Sequence, residues 1–171
     1  MKENAKLDGP TSPSTAAWVG WAALVARGVV GGLFLWMGWS KAMDPVGFLK
    51  LVRQYEVLPG PGLLNAVAVV VPWLEMVCGL LLLAGRAVRG TALVSLVLLA
   101  VFTALVWHRA LGVREATGVA MCAVRFDCGC GAGEVWICRK IVENSLLLVL
   151  SAFLVYVPAV RWPWRAGVTP G

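Results

Sequence analysis

The chain has 171 residues, of which 60% are hydrophobic and 14% are charged. Because soluble domains carry about 25% charged residues, this composition predicts a membrane protein. The net charge of +6 is modest and the basic residues lie between apolar blocks, which excludes a protein that binds nucleic acid through a basic face.

The first 15 residues are polar, contain the stretch GPTSPST and predict a flexible tail. Four apolar blocks follow, and each has the roughly 17–25 residues that a membrane-spanning helix needs. They cover residues 17–39, 62–85, 91–107 and 141–160. A second short tail follows at residues 166–171. The prediction is an all-α protein with one membrane domain over residues 16–165, a four-helix transmembrane bundle embedded in lipid.

The loop after the first block contains the stretch VGFLKLVRQYEVL. Its apolar residues recur at the spacing of one helix face: Phe48, Leu51 or Val52, Tyr55 and Leu58. This pattern predicts a short amphipathic helix on the membrane surface. The helix either covers the end of the bundle or roofs a site under the cysteines described below.

Arg27 lies near the middle of the first block and Glu75 near the middle of the second. An ionisable group at the bilayer centre costs at least ~2.5–3.5 kcal/mol, and this cost falls if the two side chains pair. We expect them to reach similar depths from opposite faces, so that an ion pair is possible. Such a pair either fixes the helix register or handles protons and orients a ligand.

His108 is the single histidine of the chain, and it ends the third block. A histidine at this position is either a polar end of a span or a functional group. Because its pKa lies near neutrality, it could relay protons or donate a hydrogen bond to a quinone carbonyl.

The loop before the fourth block holds four of the five cysteines, spaced C-x5-C-x-C-x7-C: Cys122, Cys128, Cys130 and Cys138. A disulfide needs Cα atoms about 4.4–6.8 Å apart, and two residues of extended chain span roughly 6.6 Å. A turn at the intervening glycine would close a small, strained ring in the Cys-Gly-Cys stretch. Strained disulfides are the labile, catalytic kind, and neighbouring basic residues favour the reactive thiolate.

Three interpretations of the cysteine cluster remain open. The first is a redox site in which Cys128 and Cys130 form one pair and Cys122 and Cys138 a second pair that relays electrons, although four cysteines allow three connectivities. The second is a metal site, either iron–sulfur or zinc, although no standard zinc spacing is present and we expect no metal. The third is a set of structural disulfides.

The loop between the second and third blocks is the shortest and carries Arg86 and Arg89. Basic residues close to span ends favour the cytoplasmic side, and a thiol cluster that cycles through disulfides belongs on the oxidising side. We therefore expect both termini in the cytoplasm and the cysteine loop outside.

Three stretches resemble the MauE branch of the DoxX-like superfamily, and the resemblance covers nearly the whole chain after the tail. They are FLWMGWSKAMDPVGF, VPWLEMVCGLLLLAG and CGCGAGEVWICRKIVENSLLL. The residues that match the motifs of the family are Arg27, Gly31, Gly38, Lys41, Asp44, Pro45, Pro72, Glu75, Gly79, Cys128, Cys130, Lys140 and Asn144. Two features depart from the family: Gly131 and Ala132 stand in place of a Phe, and Cys122 and Cys138 are additions.

The resemblance implies a four-helix bundle of the bacterial inner membrane, linked to disulfide formation in periplasmic enzymes or to quinone-linked oxidoreductases. We expect a thiol–disulfide redox protein that passes electrons between an extracytoplasmic partner, thioredoxin-like or a client, and the quinone pool. A quinone would bind near Arg27, Glu75 or His108. The alternative is a non-catalytic anchor subunit of a larger respiratory or oxidoreductase complex.

Overall fold

A computed structural model describes residues 13–57, 59–128 and 133–157. These residues contain five α-helices, a 3₁₀ turn at Met121–Ala123 and two short strands. The helices are α1 (Pro13–Met43), α2 (Pro45–Gln54), α3 (Pro61–Ala84), α4 (Val88–Thr117) and α5 (Ile137–Tyr156), and the strands are β1 (Arg125–Asp127) and β2 (Glu134–Trp136). Residues 1–12 of the predicted first tail lie outside the described residues, and so does the whole of the second tail.

Three of the helices are long and apolar enough to cross a membrane: Trp18–Met43, Pro61–Ala84 and Val88–Thr117. They coincide with the first three predicted spans, and the third continues well beyond residue 107, where the predicted span ends. The helix at the fourth predicted span, α5, is not among them because its first two turns carry Arg139, Lys140 and Glu143. The end of that predicted span lies outside the described residues. Four membrane-crossing helices therefore remain a prediction.

Small residues bring α1 and α3 into close antiparallel contact. A Cβ atom added to Gly79 would lie 2.7 Å from the carbonyl oxygen of Gly31, and one added to Gly38 would lie 2.6 Å from that of Pro72. Close approach of backbones at small residues is a common way for membrane helices to pack. This register brings the end of α1 that follows Gly38 beside the middle of α3.

Helix α2 confirms the predicted amphipathic helix. Asp44 caps its N-terminus, because the carboxylate accepts a hydrogen bond of 2.8 Å from the backbone N–H of Gly47, and a proline at the first helical position suits this start. Phe48 is buried, whereas Lys50 and Arg53 are exposed. The fourth residue of the predicted apolar face, Leu58, lies outside the described residues.

The all-α prediction missed a small antiparallel hairpin between α4 and α5. Strands β1 and β2 pair Arg125 with Trp136, Phe126 with Val135, and Asp127 with Glu134. Three-residue strands are too short to show a convincing alternation of apolar and polar residues. Phe126 and Val135 pack towards the bundle, so the hairpin places the residue after β1, Cys128, against the helices.

Candidate functional site

Cys122 and Cys138 form a disulfide that joins the 3₁₀ turn to the first turn of α5, with their Cα atoms 5.0 Å apart. This bond confirms the pairing that we considered from the sequence. Next to it, the backbone N–H of Ile137 donates a hydrogen bond of 3.2 Å to the carbonyl of Val124. The disulfide therefore holds the start of α5 beside the hairpin, whereas its role in electron transfer stays a prediction.

Cys128 follows β1 and is also disulfide-bonded. It is only 6% exposed and packs in a cluster with Val106, Ala110, Val124 and Ile137. Its sulfur is therefore held against the end of the bundle, although the sequence places this residue in a loop. Cys130 lies outside the described residues.

Tyr55, at the C-terminal end of α2, reaches the cysteine segment. Its hydroxyl donates a long hydrogen bond of 3.4 Å to the backbone carbonyl of Cys128. Burial raises the pKa of Tyr55 to about 12; the negative charge of Asp127 also raises it, and the positive charge of Arg109 lowers it. The phenol therefore stays protonated at neutral pH and remains a hydrogen-bond donor. Through this bond the C-terminal end of α2 contacts the segment that carries Cys128.

Glu75 pairs with Lys41 and not with Arg27. The ammonium group of Lys41 donates a hydrogen bond of 2.5 Å to Glu75 Oε1, and the side chains are 5% and 3% exposed. Lys41 also lies 4.7 Å from the centroid of the Phe102 ring, a distance at which an aromatic face stabilises a cation. The predicted Arg27–Glu75 ion pair is therefore wrong.

Arg27 lies against the C-terminal end of α3. Its Nε donates a hydrogen bond of 3.1 Å to the carbonyl of Leu82, which is about two helical turns from Glu75. The two charged residues do not reach the same depth because the close contacts of Gly31 and Gly38 with α3 fix the register of the two helices. Lys41 then takes the position beside Glu75 that the sequence analysis gave to Arg27.

A small cavity of ≈ 30 Å³ lies where α1, α3, α4 and α5 meet the cysteine segment. Its wall includes Lys41, Glu75, Cys128, Lys140 and Asn144. A cavity of this size holds one or two water molecules and is too small for a quinone ring. Glu75 Oε2 has no hydrogen-bond partner among the described residues, so one buried carboxylate oxygen can accept a hydrogen bond from a molecule that enters the cavity.

Two polar residues on α5 complete the wall of the cavity. Lys140 is 9% exposed, and its charge acts on both Lys41 and Glu75. Asn144 donates a hydrogen bond of 3.1 Å to Thr103 Oγ1, which links α5 to α4. The resemblance marked Lys41, Lys140 and Asn144 as motif residues, but the sequence analysis did not propose them as site residues.

Their positions on the helices contain a signal that the sequence analysis did not use. The buried residues of α5 recur at alternating intervals of three and four, which marks one helix face: Ile137, Lys140, Asn144, Leu147, Ser151 and Leu154. A lysine and an asparagine on a buried and mainly apolar face indicate an internal polar site.

The structure unites only part of the predicted site. Glu75 and Cys128 line the same cavity, and the Cys122–Cys138 disulfide lies next to it along the chain. Arg27, on α1, lies against the C-terminal end of α3 and away from the cavity, and His108 is exposed on α4. In the part of the chain that the structure describes, no three His, Cys, Asp or Glu residues are grouped so that they could hold a metal ion.

A comparison with protein families gives one match. The family described as methylamine utilisation protein MauE matches residues 19–157, which include α2 to α5, most of α1 and the whole cavity. Neither the curated proteins nor the solved structures contain a match. The chain therefore belongs to the MauE family, a family of membrane proteins.

Proposed function

We propose that this protein is a thiol–disulfide redox protein of the bacterial inner membrane, in which Cys128 and Cys130 form the exchanging pair. The observation that supports this most is the position of Cys128: it is disulfide-bonded, buried against the bundle and in the wall of a cavity that also contains Lys41, Glu75 and Lys140. A purely structural disulfide does not require charged side chains buried beside it. Membership of the MauE family also supports a redox context.

The proposed reaction oxidises a dithiol partner, either a thioredoxin-like protein or a periplasmic client. A partner thiolate attacks one sulfur of the Cys128–Cys130 disulfide, the S–S bond breaks, and one cysteine leaves as thiolate. The second partner thiol, once deprotonated, attacks the mixed disulfide and completes the transfer of two electrons. The partner ends as a disulfide and the protein as a dithiol.

The electrons would then pass to a quinone, which takes up two electrons and two protons. The cavity beside Glu75 is too small for this molecule, but a groove of ≈ 650 Å³ lies between α1 and α5, within the range of ligand pockets. Leu33, Trp36 and Leu146 line it, and Met37 and Lys140 line both the groove and the cavity. We therefore place the quinone in this groove and not beside Arg27 or His108.

The sidedness of the protein is part of the proposal. The cysteine segment would face the periplasm, where disulfides persist, and Arg86 and Arg89 would hold the short loop between α3 and α4 in the cytoplasm. With α5 as a fourth crossing, both termini would also be cytoplasmic. The motifs around Lys41 and Glu75 further support placing this family in the DoxX-like superfamily.

The alternative is a non-catalytic anchor subunit of a larger oxidoreductase complex. The observation that favours it is the Cys122–Cys138 disulfide, because it joins two adjacent segments as a structural bond would. On this alternative both disulfides are fixed and the bundle end is a docking face for other subunits.

Trapping of mixed disulfides separates the two functions. We expect Cys128→Ser, and to a smaller extent Cys130→Ser, to accumulate a mixed disulfide with a partner protein in native membranes, because the neighbouring thiol that would displace the partner is missing. Cys78→Ala, which removes the buried cysteine of α3, is the control and should trap nothing. An absence of adducts in both serine variants, with the oxidation state of every client unchanged, would favour the anchor.

A further inference from the structure

The buried charges around the cavity do not cancel. Lys41 is paired with Glu75, whereas Lys140 lies 3.8 Å from Glu143 Oε2, a carboxylate that Arg139 already binds at 2.8 Å. The charged residues in the wall of the cavity are Lys41, Lys140 and Glu75, two cations and one carboxylate, which leaves one positive charge in excess.

The excess positive charge is buried. Arg139 and Glu143 are well exposed, so water screens their interaction, whereas Lys140 and the Lys41–Glu75 pair are shielded from water. A buried ammonium group is unfavourable unless a negative charge accompanies it. This end of the bundle is therefore suited to receive one further negative charge.

Cys128 is the group that can supply this charge. It shares the wall of the ≈ 30 Å³ cavity with Lys41, Glu75 and Lys140. In the disulfide its sulfur is neutral. On reduction the same sulfur can carry a full negative charge.

We propose that the cavity is a thiolate-binding site, in which Lys41 and Lys140 stabilise the negative charge of the Cys128 sulfur when its disulfide is reduced. This inference rests on the proposed function, because it assumes that the disulfide is opened in use. It assigns charge-compensating roles to two lysines and makes Cys128 the leaving group of the exchange.

The step is balanced without any proton transfer. A partner thiolate forms a bond to the cysteine sulfur that is joined to Cys128, the existing S–S bond breaks, and its electron pair remains on Cys128 Sγ. One negative charge thus moves from the partner into the cavity, where it cancels the excess positive charge. A thiol of lower pKa leaves faster, so the two lysines would accelerate the opening of the disulfide.

Glu75 has the opposite electrostatic effect. Its carboxylate holds Lys41 in the wall of the cavity, but its own negative charge repels a thiolate. Removing the charge of Lys140 should therefore raise the pKa of the Cys128 thiol, and removing the charge of Glu75 should lower it. General loosening of the fold does not predict shifts of opposite sign.

Further titratable and charged groups face the cysteine segment, and the variants leave them in place. Tyr55 contacts the Cys128 carbonyl, and because its pKa is about 12 it is neutral near neutral pH. Asp127 on β1 and Arg109 on α4 both act on Tyr55. Because these groups do not change, a shift between variants reports the substituted residue.

The experiment measures the pKa of Cys128 by the ultraviolet absorption of its thiolate in purified protein in lipid. Cys78→Ala with Cys130→Ser leaves Cys128 as the titrating thiol while the Cys122–Cys138 disulfide stays closed. In this background we expect Lys140→Met to raise the pKa by about one unit, which is tenfold less thiolate at a given pH. Glu75→Gln should lower it by a similar amount.

The control is Arg139→Gln, which removes an exposed positive charge from the neighbouring position and should leave the pKa of Cys128 unchanged. Lys140→Arg, which keeps the charge, should restore the original value, and Lys41→Met is a second test if Lys140→Met does not fold. Shifts no larger than that of Arg139→Gln in both methionine variants would overturn the thiolate site. If the shifts occur but no partner is oxidised, the proposed function fails and the site remains.

Discussion

The two ends of the α1–α3 interface each bury a cation from α1 against α3, yet they differ in what the cation meets. Arg27 donates to the carbonyl of Leu82 in the last turn of α3, where a positive charge is favourable for any helix. Lys41 instead meets the carboxylate of Glu75 in mid-helix, beside a cavity and a disulfide-bonded cysteine. A buried charge at a helix end is explained by structure alone, whereas the mid-helix pair is not.

The same contrast separates the two disulfides. The Cys122–Cys138 bond joins two adjacent segments and lies beside ordinary backbone hydrogen bonds. Cys128 lies in the wall of the cavity with Lys41, Glu75 and Lys140. We therefore assign support of the fold to the first disulfide and exchange to the second.

Breaking the Lys41–Glu75 pair should have the largest effect on stability. Removing one partner, as in Lys41→Met or Glu75→Leu, leaves an uncompensated buried charge and should lower the free energy of unfolding by about 3–5 kcal/mol. The double variant Lys41→Met/Glu75→Leu should recover most of that loss but not thiol exchange. Denaturant unfolding in detergent, together with an assay of partner oxidation, checks both. A double variant as active as the natural protein would contradict a functional role for the pair.

Removal of Arg27 should have a smaller effect, and on stability alone. Arg27→Met loses a hydrogen bond from a charged donor, which should cost about 1.5–3 kcal/mol, and leaves the cavity unchanged because Arg27 lies some two turns away along α3. The same unfolding and oxidation assays apply, with exchange measured at a temperature where both proteins are folded. A selective loss of thiol exchange would mean that the two ends do not have separate roles.

The α1–α5 groove shares Met37 and Lys140 with the cavity that Cys128 lines, and we expect that filling the groove affects only the step that uses quinone. Leu146 is exposed in the groove, and Leu146→Trp should slow reoxidation by quinone several-fold while oxidation of the partner in a single turnover is unchanged. Leu80→Trp, at an exposed position on α3 that is not part of the groove wall, is the matched control. Equal rates of reoxidation by quinone in the two variants would mean that the quinone does not bind in this groove.

The smallest expected effect concerns Tyr55. Its pKa in the folded protein, about 12, is higher than the ordinary value of about 10, so the folded state favours the neutral phenol. The stabilisation is complete below pH 10 and is lost as pH rises towards 12. The difference in tyrosinate absorption between the natural protein and Tyr55→Phe should show a midpoint near 12; a midpoint near 10 would mean that Tyr55 is not buried against the cysteine segment.

The features that depend on a local pattern of residues could be predicted from the sequence. The first three spans follow from long apolar runs, α2 follows from helical spacing beginning at Phe48, and the pairing of Cys122 with Cys138 was among the possibilities considered. The family resemblance marked Lys41 and Lys140 as motif residues. None of this required knowledge of which helix faces meet.

The partner of Glu75 could not be predicted because it depends on the register between two helices. Gly31 and Gly38 set that register through close backbone contacts with α3, and a shift of about two turns would be needed to bring Arg27 beside Glu75. The hairpin was missed because three-residue strands carry almost no periodic signal. It is nevertheless the element that places Cys128 in the same cavity wall as Lys140.

The most direct test of the central claim, that the disulfide of Cys128 exchanges electrons in use, is differential alkylation of the cysteines in intact cells followed by mass spectrometry. Cells grown with an oxidised and with a reduced quinone pool are compared. The account predicts that the reduced fraction of Cys128 rises when the pool is reduced, while Cys122 and Cys138 stay joined in both. A Cys128 that is fully oxidised under both conditions would contradict it.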